Sequence, residues 1–216
     1  MKSFLLYLSC MDDLQKIHDA AREDHVPIMK DDGMAFLLAY LKEHENIRDI
    51  LECGTAVGYS AINMAEVRWD MIVDTLEIDP EMYETACRNV KERGLQDRVN
   101  CYLCDAAEFQ TDKIYDLIFI DAAKSQYRRY MEHFFRNTMP GTVFIFDNLN
   151  FHGIVDDPQL SDNRGTLQMT RKIRNFREHL LNDSRFETVY YPDTGDGVAV
   201  AKRKKSSSFE EQSGKQ

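Results

Sequence analysis

Asp49-Ile50-Leu51-Glu52-Cys53-Gly54-Thr55-Ala56-Val57-Gly58-Tyr59-Ser60 is the stretch that decides the fold. A short apolar run enters a glycine turn, and the turn opens into a segment with helical spacing. Strand, tight turn and helix in that order are the start of an α/β unit. The pattern then repeats. Apolar runs at Asp49–Cys53, Ile72–Ile78, Val99–Leu103, Tyr115–Asp121, Thr142–Asp147, Phe186–Tyr191 and Gly197–Ala201 alternate with helical patterns near 59–67, 81–93, 124–137 and 166–182. Such alternation predicts a mostly parallel sheet with helices on both faces. Only Pro192 to Asp196 separates the last two runs, too short for a helical crossover, so these two pair antiparallel and complete a seven-stranded sheet. Upstream, Leu14, Ile17, His18 and Ala21, and then Met34, Leu37, Leu38 and Leu41, mark two helices, with Pro27 breaking the chain between them.

In an open α/β sheet the ligand sits at the carboxyl ends of the strands. The first such end, Gly54 to Ser60, is neither the dinucleotide G-x-G-x-x-G nor a P-loop, since no Gly-Lys-Ser/Thr follows. It carries no Lys or Arg, and Glu52 leads into it, so it suits a cationic or neutral ligand better than a pyrophosphate. An ordinary strand-to-helix turn is the plain alternative. Glu77, about 20 residues further on, stands where a ribose diol is held in such folds. Asp105 and Ala106 follow the third strand and are placed to meet a base edge, although a turn-forming Asp reads the same way.

The rest of the chain bounds the function. At 216 residues and a net charge of −10, the protein is not built to coat nucleic acid by bulk charge. Its longest apolar run, Met34 to Leu41, is far short of the roughly 18 residues of a membrane span. Lys2 and the apolar Phe4 to Leu8 imitate a signal peptide, but Asp12 and Asp13 follow without a cleavage site, and the reading is rejected. The five scattered cysteines point to reduced thiols and a cytoplasmic location. Cys101 and Cys104, three apart on a strand, face opposite ways and cannot share a metal, and the six histidines show no metal-ligand spacing. Residues 1–205 are expected to form one domain with a helical cap over 1–45, followed by a disordered tail at 206–216.

Five motifs in order, E-C-G-T-A-V-G-Y-S, L-E-I-D, C-D-A, F-I-D-A-A-K-S-Q-Y and F-D-N-L, resemble the cation-dependent class I O-methyltransferases, the group of the catechol and caffeoyl-CoA enzymes. The resemblance runs from about residue 26 to 203. It implies a Rossmann-like methyltransferase fold and S-adenosylmethionine as cofactor, whose sulfonium suits a phosphate-free turn. The family's cofactor contacts fall on Glu52, Gly54, Ser60, Glu77, Asp105, Ala106 and Asp121, and Met29 in V-P-I-M matches a loop that closes over the cofactor. Cys53 and Thr142 depart from the family pattern, where an aliphatic residue and a glycine are usual; neither carries a side chain the chemistry needs.

Asp121 ends the fourth strand, and Asp147 and Asn148 end the fifth. Neighbouring strands bring these oxygens to one rim, and two carboxylates with an amide suit Mg²⁺ or another hard cation. The resemblance places the family's metal on these three residues and makes Lys124, three residues after Asp121, the general base. Asp121 and Lys124 are therefore the expected catalytic pair, with vicinal substrate oxygens on the metal.

The D-A-A-K-x-Q-Y run, Phe151-x-Gly153-x-Val155 and Gly195-Asp196-Gly197-Val198 resemble most closely the short bacterial members that methylate 5-hydroxyuridine at the tRNA wobble position. That similarity implies a tRNA anticodon loop as partner, met by Arg164, Arg171, Lys172, Arg174 and Arg177 with Arg128, Arg129 and the Lys202–Lys205 run. A solvated helix face is the other reading of those arginines. A small-molecule catechol or caffeoyl-CoA-type enzyme, and a non-catalytic cofactor-binding module, are the alternatives. Homodimers are also implied by the resemblance.

Overall fold

The computed structural model describes residues 14–205, and the expected tail at 206–216 lies outside them. A first helix, α1, covers residues 14–23 of the described chain. It is followed by α2 (Asp31–Glu43), β1 (Asp49–Cys53), α3 (Tyr59–Val67), β2 (Ile72–Glu77), α4 (Pro80–Glu92), β3 (Val99–Leu103), β4 (Leu117–Ile120), α5 (Tyr127–Phe134), β5 (Val143–Phe146), α6 (Arg164–Asn182), β6 (Phe186–Tyr191) and β7 (Val198–Arg203).

The strands form one seven-stranded sheet in the order β3-β2-β1-β4-β5-β7-β6. Strands β1 to β5 pair parallel, and β7 runs antiparallel between β5 and β6. This is the expected Rossmann-like class I methyltransferase architecture. The order reverses at β1, whose neighbours are β2 on one side and β4 on the other. A crevice therefore opens above the carboxyl ends of β1 and β4.

Strand alternation splits the core in two. Ile50, Leu117, Phe119, Val143 and Ile145 face α2 and α3, packing on Leu37, Leu41, Ile62 and Met64. Leu51, Ile118, Ile120, Phe144 and Phe146 face the other way, onto Tyr127, Met131, Phe134, Ile173 and Phe176 of α5 and α6. Strands buried on both faces read as unbroken apolar runs, as β4 and β5 do here. Cys101 packs with the first cluster and Cys104 with the second, on opposite faces as their spacing requires.

The helix expected over 124–137 is instead three pieces, with 3₁₀ turns at Lys124–Gln126 and Phe135–Asn137 flanking α5. The first turn closes by a bond from the Gln126 N–H to the Ala123 carbonyl at 2.8 Å. At the far end the Asn137 amide is drawn off to the carbonyls of Thr111 and Lys113, at 2.7 and 2.9 Å. Among the described residues no helix is long and apolar enough to cross a membrane.

Candidate active site

The Gly54 turn is left-handed at three points, with φ of 100° at Gly54, 48° at Ala56 and 83° at Gly58. Gly54 must lack a Cβ, because one built there would lie 2.5 Å from the Asp121 carbonyl oxygen. The turn is tied down by Glu77, whose Oε2 accepts the Ala56 N–H at 2.7 Å while Oε1 accepts those of Ile78 and Asp79 at 2.9 Å each. Asp105 Oδ1 accepts the Ala107 N–H at 2.8 Å, so this residue does form the turn its type favours.

Above these strand ends lies a cavity of about 610 Å³, within the range of small-molecule and cofactor sites. Met29, Gly54, Ser60, Glu77, Asp105, Ala106, Asp121, Lys124 and Asn148 all line it. Its charged walls are Asp24, Glu77, Asp105 and Asp121 against Lys124 alone among lysines and arginines. An acidic wall without a phosphate cradle fits a cationic ligand such as a sulfonium.

Glu52 is not in that wall. It is wholly buried beneath the turn, accepting the Ser60 hydroxyl on one oxygen and the Thr75 hydroxyl at 2.5 Å on the other. Burial pushes its carboxyl up to about 8 despite those two donors. It reaches the cavity through Ser60, whose orientation it fixes. The sequence also gives no sign of Tyr59, Ile78, Met82, Gln126 and Tyr130 in the cavity wall. The Asp24–Met29 stretch closes one side of the cavity, where Pro27 interrupts the helical pattern and where the V-P-I-M resemblance put Met29; the sequence marked neither Asp24 nor His25 as part of that wall.

At the rim, the Asn148 amide nitrogen donates to Asp121 Oδ1 and to Asp147 Oδ2, both at 3.0 Å. The two carboxylates thus converge on one point, held by a residue with φ of 60°. Rotation of the Asn148 amide presents its oxygen there instead. Asp147 is 1% exposed, and its Oδ1 has no hydrogen-bond partner. A buried carboxylate oxygen left unpaired is costly, and a bound cation relieves it. Burial raises both carboxyls, Asp121 to about 6 and Asp147 to about 7, with the Asp121 charge a further cause at Asp147. Lys124 Nζ stands 3.8 Å from Asp121 Oδ1, with its side chain 20% exposed. The donors are all oxygen, as a hard divalent cation requires.

A second group of possible donors, Glu132, His179 and Asp183, gathers on the α5–α6 side. His179 and Asp183 are four residues apart, one helical turn. The centre of that group is taken by Arg185, whose guanidinium bonds Glu132 at 2.6 Å and Asp183 at 2.7 Å. It is a salt-bridge cluster.

The O-methyltransferase family model matches residues 6–204. A catechol O-methyltransferase of Niastella koreensis is 30% identical over 176 residues, covering 76% of each chain. A caffeoyl-CoA O-methyltransferase of Populus kitakamiensis is 27% identical, covering 77% of this chain and 74% of its own. The structure of an O-methyltransferase from Bacillus cereus in complex with SAH superimposes with a TM-score of 0.75 at 27% identity, over 89% of this chain and 91% of that one.

These relatives overturn the expectation of a tRNA 5-hydroxyuridine methyltransferase with an anticodon loop as partner; they are catechol and caffeoyl-CoA enzymes. The arginines offered for phosphate contact are partly spent inside the fold. Arg174 donates to the Val155 carbonyl at 2.8 Å. Arg177 pairs with Asp156 and donates to the Tyr190 hydroxyl at 3.0 Å. Arg203 donates to the Thr138 carbonyl at 2.6 Å. The short runs that suggested the tRNA-methylating subgroup serve packing as well, since a Cβ on Gly197 would meet Asn150 at 2.8 Å. The family carries the S-adenosylmethionine and divalent-cation expectations with it. With the sheet order, the cavity above the switch point, and a family match over nearly the whole chain, this protein belongs to the O-methyltransferase family, in its class I cation-dependent catechol and caffeoyl-CoA group.

Proposed function

We propose that this protein transfers the methyl group of S-adenosylmethionine to a hydroxyl of a small molecule that carries two adjacent oxygens, as a catechol or a caffeoyl ester does. The observation that carries the reading is the convergence of Asp121, Asp147 and Asn148 beside an acidic cavity.

In this reading Asp121, Asp147 and Asn148 hold a divalent cation, and Met29, Gly54, Ser60, Glu77, Asp105, Ala106 and Asp121 border the methyl donor. When bound, the cation acidifies a coordinated hydroxyl and the sulfonium supplies the methyl group. The chain's own part is positioning. Ser60, fixed by Glu52, and the Ala56 turn, fixed by Glu77, set the floor for the donor. Lys124 stands over the rim to receive the hydroxyl proton. The rate gain comes from holding nucleophile and methyl carbon in line. The reading also takes residues 1–205 as one catalytic domain. It places the protein in the cytoplasm, where thiols such as Cys53, Cys87, Cys101 and Cys104 stay free.

Methyl transfer from labelled S-adenosylmethionine to a panel of catechols and their monophenol counterparts, with Mg²⁺ or with EDTA, tests it. The expected result is product from vicinal diols only, and only with the cation. Equal rates with monophenols, or full activity in EDTA, would refute it.

A further inference from the structure

Asp196, in the Gly195-Asp196-Gly197 turn between β6 and β7, is 4% exposed and has no place in the chemistry above. Its carboxylate faces two elements at once. Oδ1 accepts the His152 backbone N–H at 2.8 Å and Lys30 Nζ at 3.2 Å; Oδ2 accepts the same N–H at 3.0 Å and lies 3.5 Å from His152 Nδ1. The carbonyls of Asp196 and Gly197 accept the N–H groups of Asn150 and Leu149, at 2.7 and 2.8 Å.

The loop that follows Asp147 therefore hangs on this turn. It needs such support, because Asn148, Phe151 and His152 have φ of 60°, 45° and 56°. L-residues hold that conformation only where their surroundings dictate it. On the other side, Lys30 precedes α2 and follows Met29 of the cavity wall, and Asp32 Oδ2 accepts the Gly195 N–H at 2.9 Å. The turn also lies directly against the cation rim, since a Cβ on Gly195 would stand 3.2 Å from Asp147 Oδ1.

We infer that Asp196 is a positioning residue that sets both halves of the site, holding Asn148 at the cation rim through the His152 N–H and Met29 over the cavity through Lys30. The inference rests on the proposed function, because it takes the rim as the cation site and the cavity as the methyl-donor site. An outer partner of this kind contributes to metal affinity without touching the metal. Asp196→Asn removes the negative charge that faces Lys30 and sets an NH₂ donor against the His152 N–H in place of Oδ2, so the charge-assisted bonds to both partners are lost.

The test measures Mn²⁺ affinity, by the EPR signal of free Mn²⁺, and S-adenosylhomocysteine affinity, by calorimetry, on the full chain and on D196N, K30M and D147A. Lys30 is half exposed, so K30M keeps the fold if D196N does not. The expected result is Mn²⁺ binding weakened about tenfold or more in D196N, with S-adenosylhomocysteine binding weakened in both D196N and K30M. A residue that only stabilised the fold would lower Tm and leave both affinities unchanged. Wild-type affinities for both ligands in D196N, or in K30M should D196N not fold, overturn the inference while the proposed function stands. If the unaltered chain binds no Mn²⁺, or D147A binds it equally well, the proposed function fails and this inference fails with it.

Discussion

The backbones of Gly54 and Asp121 pack so closely that a Cβ on Gly54 would stand only 2.5 Å from the Asp121 carbonyl oxygen. The turn at the end of β1 and the tip of β4 are thus one unit, and the proposed methyl-donor and cation sites share a wall. Gly54→Ala forces the two strand tips apart and strains a left-handed position, a cost of about 1–3 kcal/mol before the clash is counted. The expected outcome is a lower Tm together with loss of S-adenosylhomocysteine binding by calorimetry. Unchanged binding would mean that the turn tolerates displacement.

Three buried carboxyls at and beneath the site give it a pH dependence in the cation-free protein. Glu52, Asp121 and Asp147 are raised to about 8, 6 and 7, so between about pH 4 and 8 these three groups hold more protons in the folded chain than in the unfolded one. Their contribution to stability is full below the ordinary carboxylate range near pH 4 and is lost as pH rises through the raised values. A cation needs the charged forms, so Mg²⁺ opposes that loss. Thermal melts at pH 5 and pH 8 with Mg²⁺ or EDTA should show a Mg²⁺-induced rise that is larger at pH 8. Saturating cation at 100 times its Kd is worth about 2.7 kcal/mol. A rise that is equal at both pH values, or larger at pH 5, would contradict the assignment of the rim.

Tyr127 is the buried support beneath Asp147: its hydroxyl donates to the Asp147 carbonyl at 2.8 Å and the residue is 1% exposed. Tyr127→Phe keeps the ring packing and removes that one bond. Urea unfolding should give a loss of about 1 kcal/mol, with a raised Mg²⁺ requirement for turnover and little change in the S-adenosylmethionine KM. A change confined to that KM would place the effect on the donor side instead.

Much of this was legible because strands announce themselves. The runs Asp49–Cys53, Val99–Leu103 and Phe186–Tyr191 match β1, β3 and β6 residue for residue. Topology alone then brings Asp121 beside Asp147 and Asn148, since strand neighbours follow from the switch point. The resemblance names Glu52 among the cofactor contacts, but only its tertiary pairing with Thr75 and Ser60 shows the carboxylate turned inward beneath the turn. The arginines of α6 misled for the same reason. Charge on a sequence looks free until the partner, Val155 or Asp156, is brought up from a distant loop. Asp196 was visible as part of a motif, but its two clients, Lys30 and His152, lie far away along the chain.

The proposed chemistry requires a divalent ion next to the transferable methyl group. Adding Mn²⁺ to the protein with S-adenosylmethionine carrying a ¹³C-labelled methyl, and following that methyl by NMR, measures this directly. Severe paramagnetic broadening of the bound methyl signal is expected in the unaltered protein, with recovery in Asp147→Ala. A methyl signal that stays sharp while Mn²⁺ is bound would contradict the proposed chemistry.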